Sequence, residues 1–80
     1  MKESMFDYLI SGISSKLNII RILGFPISSE VISQKIDEIA AEYKNIENFF
    51  ITEEDVARLK FHVGNIYNIR VGEPAITLHN

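Results

Sequence analysis

The chain has 80 residues, of which 46% are hydrophobic and 24% are charged, and its formal net charge at pH 7 is −3. These values are typical of one small globular domain over residues 1–80, and they exclude an intrinsically disordered chain. Cysteine is absent, which excludes both a disulfide framework and a thiolate metal site.

The first predicted element is a helix over residues 4–23. Helical spacing places one apolar stripe toward the core, and this stripe contains Phe6, Leu9, Ile10, Ile13, Leu17 and Ile20. The apolar residues left over form a second face, which contains Tyr8, Ile19 and Ile22. Gly12 costs about 1 kcal/mol relative to alanine and can mark a close helix–helix approach. Gly24 predicts the end of the helix.

The second predicted helix spans residues 29–47 and is apolar on one side only. Its stripe contains Ile32, Ile36, Ile39, Ala40, Tyr43 and Ile46, and most other positions are charged or small. Ser28 or Ser29 can cap the start by accepting a hydrogen bond from an unpaired backbone N–H. Such a helix needs something to pack against, because an isolated helix of this length is marginal in water.

The clearest local signal in the sequence is the start of the third helix. Thr52 is the expected N-cap, and Asp55 stands at the third helical position, where its carboxylate can reach back in a capping box. Ile51 and Val56 have the spacing of a hydrophobic staple around this cap. We therefore predict that the third helix begins at residue 53.

The end of the third helix is ambiguous. At helical spacing an unbroken apolar stripe contains Val56, Leu59, Val63, Ile66 and Tyr67, and Gly72 is a natural stop after it. This stripe predicts a helix over residues 53–70, and hence an all-α, three-helix domain with a short extended C-terminal tail. However, residues 61–71 are nearly all weak helix formers. The alternative is an α+β domain in which the third helix ends near residue 62 and strands follow at 66–71 and 75–78. We favour the long helix, because tertiary packing often overrides propensity.

One short segment resembles a known family. The residues Tyr67-Asn68-Ile69-Arg70-Val71-Gly72 are similar to a strand of the ribosome-dependent ribonuclease toxins of toxin–antitoxin pairs. That family usually opens with a strand, whereas the N-terminus here has a helical pattern, and the basic residues that those toxins place around RNA are scarce. A small ribonuclease toxin is therefore implied only if the C-terminal half is a sheet.

No residue pattern in the sequence predicts catalysis, a cofactor or a metal. The histidines His62 and His79 lack an acidic or histidine partner at the spacing that metal binding needs. Ser14 and Ser15 have no paired base nearby in the sequence, and no glycine-rich phosphate loop exists. We expect a protein that is not an enzyme and that uses no cofactor.

Charge and hydropathy limit the partners. Residues 30–55 hold eight acidic against two basic residues, which we interpret as a solvated face. The negative balance argues against nucleic acid as the main partner. The first residues lack the apolar core of a signal peptide, and no apolar run approaches membrane-spanning length, so we expect a cytoplasmic protein that does not bind membranes.

The candidate functional surface is what remains when each helix has one core stripe. On the first helix it contains Tyr8, Ile19 and Ile22, and on the third it contains Phe61, Asn65, Asn68, Ile69 and Arg70. An exposed Phe flanked by Asn and Arg is typical of a recognition patch. Since only the second helix lacks a second apolar face, we expect it to be outermost, with the extra faces buried against another copy or another protein.

Two functions follow for a helical protein. The favoured one is a small non-enzymatic interaction module, an oligomeric adaptor or inhibitor that acts by binding a partner. The alternative is a DNA-binding regulator whose third helix enters a groove with Arg58, Lys60 and Arg70. Glu53 and Glu54 disfavour this alternative, because they place negative charge at the helix N-terminus, where a phosphate would bind.

Overall fold

The computed structural model describes residues 2–44, 46 and 50–71. These residues form three α-helices, α1 (Glu3–Ile22), α2 (Ser29–Tyr43) and α3 (Glu53–Ile66). This part of the chain contains no strand, so the predicted all-α, three-helix fold is confirmed. The strand of the α+β alternative at residues 66–71 is wrong, and its strand at 75–78, like the predicted tail, lies outside the described residues.

Contacts between side chains fix the directions of the helices. The ring centroids of Phe6 and His62 lie 5.5 Å apart, and further along both helices the Tyr67 hydroxyl lies 3.5 Å from the Ser14 carbonyl oxygen. Helices α1 and α3 are therefore parallel. Helix α2 contacts both of them. It runs antiparallel to α3, because its last residues share a groove with the first turn of α3.

The core consists of the predicted stripes. Its buried residues are Phe6, Leu9, Ile13, Leu17, Ile32, Ile36, Ile39, Leu59, Val63 and Val71. All of these except Val71 lie on a stripe read from the sequence. Burying one such large side chain contributes about 1.5–3 kcal/mol to folding. Burial of these stripes is therefore the main favourable contribution to the stability of the three helices.

The starts of α2 and α3 agree with the sequence. The Ser28 side chain, rather than that of Ser29, accepts a hydrogen bond of 3.2 Å from the backbone N–H of Val31. At α3 the N–H of Asp55 donates to the Thr52 hydroxyl, and the N–H of Thr52 donates to the Asp55 carboxylate, both at 3.0 Å. The predicted capping box is confirmed.

Helices α1 and α3 end in the same motif. Beyond α1, Gly24 has a φ of 95°, and the Phe25 N–H donates to the Ile20 carbonyl at 3.1 Å. Beyond α3, Asn68 takes the left-handed position with a φ of 58°, and the Ile69 N–H donates to the Gly64 carbonyl at 2.8 Å. Both are Schellman motifs. The predicted end of the third helix at residue 70 is therefore wrong.

The early end of α3 changes the positions of two isoleucines and of Val71. After Asn68 the chain turns back, so Ile69 packs against the core and Val71 is only 3% exposed. Ile66, which the helical stripe places in the core, is 53% exposed. Helix α2 likewise ends before residue 47, and Ile46 is 46% exposed, so its place on the core stripe was also wrong.

Candidate functional site

The outer face of α1 carries the three apolar residues that its periodicity predicts there. Tyr8, Ile19 and Ile22 are 66%, 58% and 78% exposed. Leu23 and Phe25, which follow at the end of the helix, are exposed as well. None of these five side chains belongs to the buried core of the described chain. Helix α1 therefore has an exposed apolar face in addition to the apolar stripe that it buries in the core.

The second part of the site is a concave surface at the end of α3. This α3 groove has a volume of about 560 Å³ and is lined by Phe61, Asn65, Asn68, Ile69, Arg70 and Val71. The structure thus brings together every candidate residue predicted near the third helix. It does so by the turn at Asn68, because residues 67–71 lie beyond the helix. Ile69 is correspondingly half-buried instead of exposed as predicted.

A neighbouring groove was not predicted from the sequence. It lies between α2 and α3, has a volume of about 540 Å³, and shares Phe61 and Val71 with the α3 groove. Ala40, Ala41 and Ala57 line it. Small side chains at facing positions leave space between two helices. These alanines are therefore the feature of the sequence from which the groove could have been predicted. Phe61 therefore stands between two connected depressions.

Two of the basic side chains near this surface contact their own chain. The Arg58 guanidinium lies 4.3 Å from the centroid of the Phe6 ring, in a cation–π arrangement. The Lys60 amine lies 3.0 Å from the Asp37 carboxylate. Arg70 is exposed and lines the α3 groove. Two of the three basic residues required by the DNA-binding alternative are thus directed toward intramolecular partners, which does not favour it.

The titratable groups Asp55 and His62 make contacts within their own chain. The backbone N–H of Thr52 donates to the Asp55 carboxylate, and this bond holds the pKa of Asp55 below its ordinary value. His62 packs edge-on against the Phe6 ring, and His79 lies outside the described residues. Within the described ranges no three acidic or histidine side chains are grouped so that they could hold a metal ion.

The hydroxyl of Tyr67, the residue that follows α3, contacts the C-terminal half of α1. It lies 3.5 Å from the Ser14 carbonyl oxygen and 3.2 Å from the Asn18 side-chain oxygen. Arg21 also donates to that Asn18 oxygen, at 3.1 Å. Ser14, one of the pair considered as a nucleophile, thereby lies beside the α1–α3 contact.

Comparison of the chain with known protein families, with curated proteins and with solved structures finds no match. The helices in the described part of the chain are also too short or too polar to cross a membrane. The exposed face of α1 and the α3 groove are therefore the features from which a function can be inferred.

Proposed function

We propose that this protein is a small non-enzymatic interaction module, an oligomeric adaptor or inhibitor that acts by binding a partner chain. The observation that carries the proposal is the exposure of Tyr8, Ile19, Ile22 and Phe61, between 58% and 78% each, outside a core that is complete without them. Soluble monomers seldom expose apolar surface that forms contiguous patches. Burial of these side chains against a second protein surface removes their unfavourable exposure to water.

The free energies of side-chain burial and of association favour burial of several exposed apolar side chains together. Burying one large apolar side chain contributes about 1.5–3 kcal/mol, so four of them supply about 6–12 kcal/mol at most. Association costs about 4–15 kcal/mol in lost freedom of motion. No single residue offsets that cost. Burial of several of these side chains together brings the two terms into the same range.

The α3 groove adds directional contacts to this apolar area. Phe61 supplies an aromatic anchor, the Asn65 and Asn68 amides can each donate and accept hydrogen bonds, and Arg70 supplies five donors. Aromatic and arginine side chains are the residues that most often dominate binding energy at interfaces. This composition supports recognition of a protein surface that combines an apolar pocket with a polar rim.

The test is the mass of the protein in solution, alone and with cell extract. Ile22→Glu and Phe61→Glu place a charge in the proposed interface, and Gln34→Glu is a matched control on an exposed position of α2. We expect the wild type and the control to be dimeric or larger, or to retain a partner. The two interface variants should shift toward monomer, or lose the partner, with unchanged helicity by circular dichroism.

A wild-type protein that stays monomeric at high concentration and retains nothing from extract would defeat the proposal. Loss of helicity in both interface variants, with the control intact, would show instead that these side chains support the fold.

A further inference from the structure

The outward side of α1 contains a regular repeat. Starting at Met5, steps of three and four residues lead through Tyr8, Gly12, Ser15, Ile19 and Ile22. All of these positions are exposed except Met5, which is half-buried. Alternating steps of three and four define the seam along which two helices pack in a coiled coil. We call these six residues the α1 seam.

The sizes of the side chains in the α1 seam are palindromic. Large residues stand at both ends, Met5 and Tyr8 on one side and Ile19 and Ile22 on the other, with Gly12 and Ser15 between them. The centre of this pattern falls between residues 13 and 14. Such symmetry fits an antiparallel pair of identical helices, because each position meets the position equally far on the other side of the centre.

Taking the proposed function as its basis, we propose that the α1 seam binds the α1 seam of a second copy of this chain in antiparallel orientation. Tyr8 then packs against Ile19 of the partner subunit, Met5 packs against Ile22 of the partner subunit, and Gly12 faces Ser15 of the partner subunit. The small pair lies where the two helix axes cross, so that the axes approach to the lower end of the usual range of about 8–10 Å. The large pairs fill the space on either side.

Two further properties fit a second copy as the occupant. None of the six seam residues is charged, so pairing of the two seams buries no charged side chain of the seam itself. In addition, a Cβ atom built at Gly12 meets nothing within 4 Å among the residues that the structure describes. The glycine is therefore not explained by packing within one subunit, whereas a close crossing of two helices requires a small residue at that position.

Antiparallel pairing is favoured over parallel pairing. A parallel pair matches every residue with itself, which any sequence satisfies, and it leaves the palindrome unexplained. Parallel neighbours also align their helix dipoles side by side, with like partial charges adjacent at each end. Antiparallel neighbours place opposite partial charges together.

Disulfide trapping tests the register, and the natural chain contributes no background because it has no cysteine. The variants Tyr8→Cys and Ile19→Cys are oxidised mildly, first each alone and then mixed, and the products are identified by intact mass. We expect a mixed disulfide between the two variants and little homodimer from either. In the antiparallel register the two Tyr8 positions are about 16 Å apart along the axis, beyond the roughly 7 Å limit between Cα atoms. Gln34→Cys, on α2, is the control that should not cross-link.

A second variant separates association from folding. Gly12→Leu should leave the monomer folded, because there is open space at that position, and it should raise the dimer dissociation constant about tenfold or more by holding the helices apart. Cross-linking of Tyr8→Cys with itself would overturn the antiparallel register. A dimeric wild type that neither forms the mixed disulfide nor responds to Gly12→Leu would overturn the α1 seam and leave the proposed function standing. A wild type that is monomeric at high concentration and retains no partner would overturn both.

Discussion

The carbonyl oxygen of Ile69 lies over the Cα atom of Gly64, within the space that a Cβ atom at residue 64 would occupy. We expect Gly64→Ala to destabilise the protein by about 1–2 kcal/mol, because the clash with a backbone atom outweighs the roughly 1 kcal/mol of helix propensity that alanine gains. Equilibrium unfolding in urea measures the change.

Gly12→Ala is the matched control for that prediction. The same substitution in a helix with open space around the new Cβ atom should stabilise the monomer by about 1 kcal/mol, as measured at a protein concentration below that of dimer formation. Stabilisation by both alanines would contradict the close approach of Ile69 to Gly64.

The N-cap of α3 should contribute measurably to stability. Thr52→Ala removes the hydroxyl that accepts the Asp55 N–H and should cost about 1 kcal/mol. Glu38→Ala should be close to neutral, since its pairing with Lys35 at 3.4 Å is exposed and such pairs contribute little. Thermal melts of the two variants compare them directly, and identical midpoints would mean that the cap is not formed in solution.

The Asp55 carboxylate should make this cap sensitive to acid. Its folded-state pKa is lowered by the hydrogen bond from the Thr52 N–H, so its contribution is present above the unfolded pKa of about 3.9. That contribution is lost as the pH falls through the lower folded-state pKa. We therefore expect the difference in unfolding free energy between wild type and Asp55→Asn to be constant near neutral pH and to shrink below about pH 4. A difference that does not change with pH would show that the charge has no role in the cap.

Buried and exposed isoleucines in the middle of the chain should differ strongly in the stability that is lost when each is replaced by alanine. Ile36→Ala and Ile39→Ala should each destabilise by about 2–5 kcal/mol, because both side chains lie in the core. Ile46→Ala is the control, as that side chain lies beyond the end of α2 and is exposed. A loss below about 0.5 kcal/mol for both core variants would mean that the stripe is not buried.

Local sequence patterns correctly predicted the structural features that depend only on residues close together in the chain. The stripe that contains Ile32 and Ile36, the cap at Thr52, and the left-handed turn at Gly24 each require only a few adjacent positions to recognise. The outer face of α1 was found in the same way, since Tyr8, Ile19 and Ile22 fall off the stripe that forms the core. These features follow directly from helix periodicity and hydrogen-bonding capacity.

The end of α3 could not be predicted in this way, because two residues compete for the left-handed position. Gly72 is the better residue for that conformation, yet Asn68 takes it. The turn at Asn68 brings Val71 into the core, and this contact with distant residues is not visible in the local sequence pattern. The weak helix formers after residue 60 were the available signal. The groove between α2 and α3 was missed for a similar reason, since its volume depends on which small residues face each other across two helices.

Val71 extends the packed core beyond the last helix. A fragment cut after Ile66 would keep every helical residue, but it would remove the side chain that covers Gly64 and lies against the end of the core. The packed unit in the described residues therefore extends at least five residues past the last helix, to Val71. A fusion or truncation placed at the visible end of α3 would leave apolar surface open to solvent.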